Sequence, residues 1–240
     1  MALFVMSDLH LDTVTNEKSM EVFGNRWQGY IQKIKNNWSR LIAEDDTVII
    51  PGDISWALSM EDSIADLKWI DKLPGKKILM KGNHDFWWST LSKLRKAFEE
   101  NGINSIDLLY NNALVAENYV LAGSRGWFVD KAVQPVKSVN ADHTKIINRE
   151  VIRLKLSLNE AVKLREETGK EIICFFHFPP VWGDFECLEI LNTLKEYNIT
   201  RVYFGHIHGC YSQGSMFRWE NIELRMISAD FLDFIPQIIA

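Results

Sequence analysis

The chain has 240 residues, of which 47% are hydrophobic and 25% charged, so it is long and apolar enough to fold around a full hydrophobic core. The formal net charge of -5 and the scattered positions of Lys and Arg argue against a broad electrostatic surface for nucleic acid. Three scattered cysteines exclude a disulfide framework, and no apolar stretch is long enough for a transmembrane helix.

These limits predict a single domain over residues 1–240, located in a reducing cytoplasm and binding neither nucleic acid nor a membrane. Asp8 follows the first apolar run too early for a signal peptide. No internal repeat, low-complexity tract or linker indicates a domain boundary. We expect a monomer or a homodimer.

Apolar strands alternate with amphipathic helices in the first part of the chain. Residues 2–6 form an apolar run that predicts a buried strand, and residues 26–44 have the apolar spacing of a long helix. Residues 47–50 predict the next strand. Residues 59–62 resemble a capping box that opens a second helix, and residues 77–80 predict a third strand.

The second part of the chain continues this alternation. A helix through residues 91–98 leads to two short strands, and a long helix that ends at Gly169 follows them. A shorter helix through residues 188–194 separates the next two strands, and residues 217–227 predict a hairpin. The four strands predicted in this part cover residues 113–116, 119–122, 172–176 and 201–204.

Polar side chains that can bind metals follow five of the predicted strands directly. Strand ends open into loops at one edge of such an alternation, so these side chains can meet although they are distant in sequence. Imidazole, carboxylate and amide oxygen together suit manganese, iron or zinc better than calcium. A helix cap or a buried histidine explains any one of them alone, but the five coincidences together favour a metal site. The residues are Asp8 with His10, Asp53, Asn83 with His84, His177, and His206 with His208.

The motifs around these residues resemble the five successive blocks of the calcineurin-like metallophosphoesterases, in the order of that family. They read Asp8-Leu9-His10, Gly52-Asp53, Gly82-Asn83-His84-Asp85, His177 and Gly205-His206-Ile207-His208. The resemblance spans residues 8–208. It implies an α/β fold, a four-layer αββα sandwich of two mixed β-sheets flanked by helices, and the third motif is closest to the bacterial phosphodiesterase and small-molecule branches.

The resemblance also implies a centre of two metal ions, which would be manganese, iron or zinc. By the family pattern, one ion is held by Asp8, His10 and His208, the other by Asn83, His177 and His206, and Asp53 bridges them. Such a pair of cations makes hydroxide available at neutral pH in line with a bound phosphorus. The pattern places His84 beside the leaving group as a proton donor or stabilising group, with Asp85 orienting its ring.

Departures from two subgroups of the family narrow the substrate. Trp56 stands where purple acid phosphatases have a tyrosine ligand. Residues 54–57 and 85–86 lack the arginine and the Glu-Arg pair of the protein serine/threonine phosphatases. We therefore expect a phosphomonoester or phosphodiester of a small molecule, with a nucleotide-like ester as one alternative.

Three residues near the motifs are candidates for substrate contact. Trp56 and Trp87 would line a cleft beside the metals and stack on a base or an apolar leaving group. Arg125 would bind a phosphate. The structural alternatives are indoles that only pack the loops and an ordinary surface arginine.

Three other functions stay open on the sequence alone. A catalytically silent scaffold or interaction protein of the same fold would have lost ligands, whereas this chain keeps all of them. A nuclease needs a basic groove, which the acidic balance argues against. A lipid-headgroup hydrolase would dock through the apolar residues 231–239, although packing of this segment on the body or at a dimer contact is the stronger expectation.

Overall fold

The computed structural model describes residues 1–13, 18–129 and 141–239, and the side chains of all of these except 141 and 142. Within these residues the strands form two large mixed sheets and one two-stranded ribbon. None of the described helices combines the length and the apolar composition that crossing a lipid bilayer requires.

The first sheet contains the three predicted strands of the N-terminal part and two further ones. Its strands are β1 (Leu3–Val5), β2 (Thr47–Pro51), β3 (Lys76–Met80), β4 (Ile106–Leu108) and β13 (Gln237–Ile239). The order across the sheet is β13-β1-β2-β3-β4, with β1 to β4 parallel and β13 antiparallel to β1. The end of the apolar segment 231–239 thus packs on the body of the protein as an edge strand.

The second sheet has six strands in the order β11-β12-β10-β7-β6-β5. They are β5 (Leu114–Ala116), β6 (Tyr119–Ser124), β7 (Glu171–Phe176), β10 (Arg201–Phe204), β11 (Met216–Trp219) and β12 (Ile222–Met226). The four central strands are parallel, and β11 pairs antiparallel with β12 as the predicted hairpin. The ribbon is formed by β8 (Val181–Trp182) and β9 (Phe185–Glu186).

Five α-helices of the described chain cover the outer faces of the sheets. They are α1 (Tyr30–Leu41), α2 (Met60–Asp71), α3 (Leu91–Asn101), α4 (Ala141–Thr168) and α5 (Leu188–Glu196). The first three pack on the first sheet, and the last two pack on the second sheet. The predicted helix over 26–44 is shorter because Gly29 has a left-handed conformation before Tyr30, and short 3₁₀ turns precede it. Ser59 caps α2 by accepting the N–H of Asp62, as predicted.

The inner faces of the two sheets pack on each other. Leu3, Val5 and Ile49 of the first sheet share a buried cluster with Ile173 and Phe175 of the second. Helices therefore lie outside two stacked sheets, and the expected four-layer αββα sandwich is confirmed.

The parallel strands of both sheets end at the same side of the molecule. Just beyond β1 and β12, Ser7 and Ser228 form a parallel bridge that joins the two sheets. The N–H of Ser7 donates to the carbonyl of Ile227, and the N–H of Ala229 donates to the carbonyl of Ser7. The loops after these strands consequently lie next to each other.

Candidate metal centre

The backbone bends sharply where the strands end in the polar motifs. Four of these residues have positive φ angles, which are 62° at Asp8, 46° at His10, 49° at Asp53 and 71° at His206. A residue other than glycine held in a rare backbone conformation costs about 1–3 kcal/mol, and such residues cluster at functional sites. The backbone is therefore locally strained at the residues of the motifs.

One set of donor atoms comes from Asp8, His10 and His208. The Nε2 atoms of His10 and His208 are 3.3 Å apart, and Nε2 of His208 lies 3.8 Å from Oδ1 of Asp8. A donor atom from each of the three residues lies within 4.8 Å of the other two. Two imidazole nitrogens and a carboxylate oxygen at this spacing could hold a transition-metal ion.

A second set of donor atoms comes from Asp53, His177 and His206, and these also lie within 4.8 Å of one another. Nε2 of His177 is 2.6 Å from Oδ1 of Asn83 and 3.4 Å from Oδ2 of Asp53. The same carboxylate oxygen of Asp53 is 3.7 Å from Nε2 of His10. Asp53, a member of the second set, therefore also lies next to the first set.

Burial controls the protonation of these groups. It raises the pKa of the Asp8 carboxyl to about 6, and burial together with the charge of Asp8 raises the pKa of Asp53. Burial and the neighbouring histidines hold the pKa values of His10 and His177 well below 6.5. Neutral imidazole is the form that binds metals. In the described chain, no lysine or arginine pairs with Asp8 or Asp53 to offset their burial, so the donor set fits cations.

The residues of the two donor sets lie in a part of the chain that matches a known protein family. The model of the calcineurin-like phosphoesterases matches residues 1–210, which include every residue of the two donor sets. The chain belongs to the calcineurin-like phosphoesterase family.

Solved structures share the fold of this phosphoesterase at low sequence identity. The phosphopantetheinyl hydrolase PptH from Mycobacterium tuberculosis is 12% identical with a TM-score of 0.56, over 99% of this chain and 95% of that one. The protein TT1561 of Thermus thermophilus is 11% identical with a TM-score of 0.57, over 99% and 97%. The gene 66 protein of Mycobacterium phage L5 is 36% identical over 81 residues, 33% of this chain. The match covers 37% of that relative, so this chain spans about a third of its length.

Hydrogen bonds connect the donor residues of the phosphoesterase across the two sheets. The backbone N–H of His206 donates to both carboxylate oxygens of Asp8 at 3.0 Å. Nδ1 of His177 lies 3.2 Å from the carbonyl of Pro51, at the end of β2. These contacts fix the ring and carboxylate orientations.

Asp230 is a site residue that the sequence analysis did not predict. Its Oδ1 lies 2.8 Å from Nδ1 of His208, and its Oδ2 accepts from the N–H of Gly209 and the hydroxyl of Tyr211. Burial lowers the pKa of His208, but the hydrogen bond to Asp230 and the charges of Asp8 and Asp230 raise it to a net value above 6.5. The bond leaves Nε2 facing the first donor set. One signal was available, since Asp230 follows the end of β12 at Met226.

We expect Asp230→Asn to weaken metal binding while the fold persists. Loss of a group that orients a metal-binding histidine lowers metal affinity by about 10–100-fold. Titration of the chelator-treated protein with manganese measures the effect. Asp233→Asn, a change of the same kind at an exposed carboxylate, is the control. Unchanged affinity of Asp230→Asn would show that His208 is oriented by other contacts.

Gly82 allows the loops after β2 and β3 to approach each other closely. A Cβ atom at Gly82 would overlap Oδ1 and the backbone nitrogen of Asp53. The neighbouring positions are occupied by Lys81 and Asn83, which have side chains, so only position 82 requires a residue without a Cβ atom. The position of the Asp53 carboxylate therefore depends on the absence of a side chain here.

We expect Gly82→Ala to lower the free energy of unfolding by about 1–3 kcal/mol, because an extra methyl group in a filled space forces its neighbours apart. Displacing Asp53 should also reduce the bound metal. Urea unfolding and metal analysis measure both effects. Gly214→Ala is the matched control, since nothing lies within 4 Å of a Cβ at Gly214. Equal stability and metal content of the two variants would refute the argument.

The His84 ring lies beside the first donor set. Its centroid is 5.6 Å from that of His10 and 4.4 Å from that of Trp56, which stacks on His10 at 4.8 Å. The backbone N–H of His84 donates to Oδ1 of Asp53 at 2.8 Å. Burial, followed by the nearby His208, lowers the pKa of the half-buried His84. The structure thus brings His84 and Trp56 together at the donor sets.

Asp85 does not orient the ring of His84, so this expectation was wrong. Asp85 is fully buried, and its two oxygens accept four N–H groups. The donors are the backbone N–H groups of Ile54, Ser55 and Gly82 and the indole of Trp87. Burial raises the pKa of Asp85 although these bonds oppose the shift. The side chain instead ties the loops after β2 and β3 together.

The predicted substrate contact of Trp87 is also wrong. Its side chain is 2% exposed, packs against Trp88 and donates to Asp85, so it belongs to the core of the loops.

Arg125 was the third residue predicted to contact the substrate. It follows β6, and its guanidinium lies 5.7 Å from the ring centroid of Phe178, the residue after His177.

Proposed function

We propose that this phosphoesterase is a dinuclear-metal-dependent phosphohydrolase that cleaves a phosphomonoester or phosphodiester of a small molecule. One observation carries the proposal: the carboxylate of Asp53 belongs to the second donor set and also lies within 3.7 Å of His10 in the first. A bridging carboxylate between two sets of nitrogen and oxygen donors is the arrangement that a pair of ions needs.

The proposed ligands follow from these positions. One ion would be held by Asp8, His10 and His208, the other by Asn83, His177 and His206, with Asp53 shared between them. Manganese, iron and zinc suit these ligands. When bound, the ions would make hydroxide available at neutral pH and neutralise charge on the phosphoryl oxygens.

We assign His84 to the leaving group. Its ring borders the first donor set but belongs to neither set, so it is available to a substrate. A ring N–H at this place can donate a hydrogen bond or a proton to the departing oxygen. Trp56 packs on the rings of both His84 and His10, which restricts their movement.

A cavity beside the centre supports a small organic substrate. It has a volume of about 490 Å³, in the range of ligand pockets, and it includes His206 and His208. Its other walls are largely apolar, with Phe128, Trp182, Phe185 and Ile207 among them. The cavity would accept an apolar or flat leaving group.

A panel of phosphate esters tests the proposal. Chelator-treated protein is assayed with manganese, iron or zinc on aryl monoesters and diesters, on nucleotides and on a phosphopantetheine ester, which the name of PptH suggests. We expect hydrolysis only after metal is restored. Finding neither bound metal nor hydrolysis with any of the three would instead favour a catalytically silent scaffold.

Nucleic acid is a rival substrate that the same assay tests. Cleavage of single-stranded DNA or RNA in preference to small esters would favour a nuclease, which the net charge of -5 argues against. We also propose a cytoplasmic location without membrane attachment, supported by the three unpaired cysteines. Residues 237–239 pair with β1. This pairing supports the proposal that the protein does not attach to a membrane through this segment, since an anchor would need the segment free.

A further inference from the structure

A second cavity, of about 210 Å³, lies beside the second donor set, and the proposed function leaves it without a role. It opens where β3, β4 and β6 end, and the first turns of α4 close one side. The volume is below that of pockets for whole ligands and suits a single small group.

Positive side chains dominate this cavity. Four of them line it, namely Lys81, Arg125, Arg149 and Arg153. Among the described residues in its wall, Glu150 alone carries a negative charge. One carboxylate does not neutralise four cations, so the cavity attracts anions.

Glu150 is shared between two of the arginines. Its side chain is 1% exposed, and Oε1 accepts from a terminal nitrogen of Arg153 at 2.6 Å and lies 3.8 Å from one of Arg125. The buried carboxylate therefore holds both guanidinium groups at the cavity wall. Positioned in advance, they lose little freedom when they bind an oxyanion.

Arg125 has unused hydrogen-bonding capacity. Its Nε is buried and has no hydrogen-bond partner in the described chain. Its guanidinium packs near the ring of Phe178, which restricts its movement. A buried donor without a partner is costly, and a bound oxyanion would satisfy it.

The cavity adjoins the candidate metal centre. Lys81 directly precedes Gly82 and Asn83, and the carbonyl of Arg125 accepts the N–H of Phe178 at 2.9 Å. The Phe178 ring is 4.5 Å from that of His206. The residues of the cavity wall and the donor residues Asn83 and His206 therefore belong to neighbouring segments on the same side of the molecule.

We propose that this cavity binds a second phosphate or similar oxyanion of the substrate, while the ester phosphate reacts at the metal centre. The anion site rests on the geometry of the cavity, and its assignment to the substrate rests on the proposed function. The substrate is then a small phosphate ester that carries at least one further anionic group.

Binding of inorganic phosphate to chelator-treated protein tests the anion site without metals. We compare the wild type with the double variant Lys81→Gln/Arg149→Gln, which leaves Glu150 and its two arginines in place. Calorimetry should show affinity at least about tenfold lower for the variant, since each charge-assisted hydrogen bond contributes about that much. Lys163→Gln, which removes an exposed cation further along α4, is the control and should bind phosphate as the wild type does.

A second variant tests whether the buried Arg125 contributes to anion binding. Arg125→Gln alone would leave Glu150 short of a partner and threaten the fold, so it is combined with Glu150→Gln. Thermal unfolding checks that the variants are folded. Folded variants of both kinds that bind phosphate as tightly as the wild type would overturn the proposal.

Turnover links the anion site to the substrate. The ratio of kcat/KM for glucose 1,6-bisphosphate to that for glucose 1-phosphate should fall about tenfold in Lys81→Gln/Arg149→Gln with metal restored. An unchanged ratio would reject the site's role in substrate binding even if hydrolysis persists. Loss of phosphate binding in the variants of a protein that hydrolyses no ester with any metal would reject the proposed function and keep the anion site.

Discussion

Asp53→Asn is expected to abolish both metal pairing and turnover. The Oδ2 atom of Asp53 lies 3.7 Å from Nε2 of His10 and 3.4 Å from Nε2 of His177, so one charge serves both donor sets. An amide cannot supply a negative charge to two cations. Losing about 4 kcal/mol of charge stabilisation in the transition state corresponds to about a thousandfold lower kcat/KM. Metal analysis should show a fall from about two ions per chain to one or fewer.

The fold should survive Asp53→Asn, because the amide oxygen can still accept the N–H of His84 in place of Oδ1. Asp71→Asn is the matched control. Asp71 holds the loop at residues 104–105 through hydrogen bonds from Ser105 and Asn104 and lies outside both donor sets. It should keep metal content and turnover. Two ions per chain in folded Asp53→Asn would show that this carboxylate does not bridge them.

His84→Ala is expected to keep the metals and lose most of the rate on poor leaving groups. The ring of His84 is outside both donor sets, so its removal takes no ligand away. General acid catalysis contributes about 10²–10⁴-fold, and the contribution is greatest when the departing oxygen is strongly basic. Rates on aryl phosphates with phenols of different pKa should therefore depend more steeply on the leaving group in the variant.

Phe86→Ala is the control for His84→Ala. Phe86 is 61% exposed on the same turn, and its ring lies 6.3 Å from that of His84 but carries no proton to transfer. It should leave the leaving-group dependence as in the wild type. If His84→Ala lost its metals, or lost equal activity on good and poor leaving groups, the assignment of His84 to the leaving group would be wrong.

Sequence reasoning could reach the donor residues because each lies in a short motif directly after an apolar strand. His10, Asn83 and His177 are far apart in sequence, but parallel strands bring the ends of β1, β3 and β7 to one side of the molecule. The strand lengths needed only approximate prediction, since a strand's end is marked by the change from apolar to polar residues.

Side-chain directions inside a motif could not be predicted in the same way. His84 and Asp85 are adjacent, yet the ring lies at the donor sets and the carboxylate turns into the protein to accept four N–H groups. Trp87 follows Asp85 inward because its indole donates to that carboxylate. The directions of these side chains depend on contacts with the loop after β2. The spacing of residues within the motif does not predict those contacts.

Two edge strands and Asp230 depend on long-range contacts. The short β4 carries only three residues, and β13 is set by pairing with β1 at the other end of the chain. Asp230 reaches His208 because the bridge between Ser7 and Ser228 places the loop after β12 beside the loop after β10. The pairing of β4 and β13 and the contact between Asp230 and His208 have no local pattern in the sequence, and only the position of Asp230 after β12 is visible there.

Anomalous diffraction from crystals grown with manganese tests the central claim most directly. We expect two peaks per chain, one in contact with Asp8, His10 and His208, the other with Asn83, His177 and His206, and both in contact with Asp53. A single ion, or ions bound away from Asp53, would contradict the account.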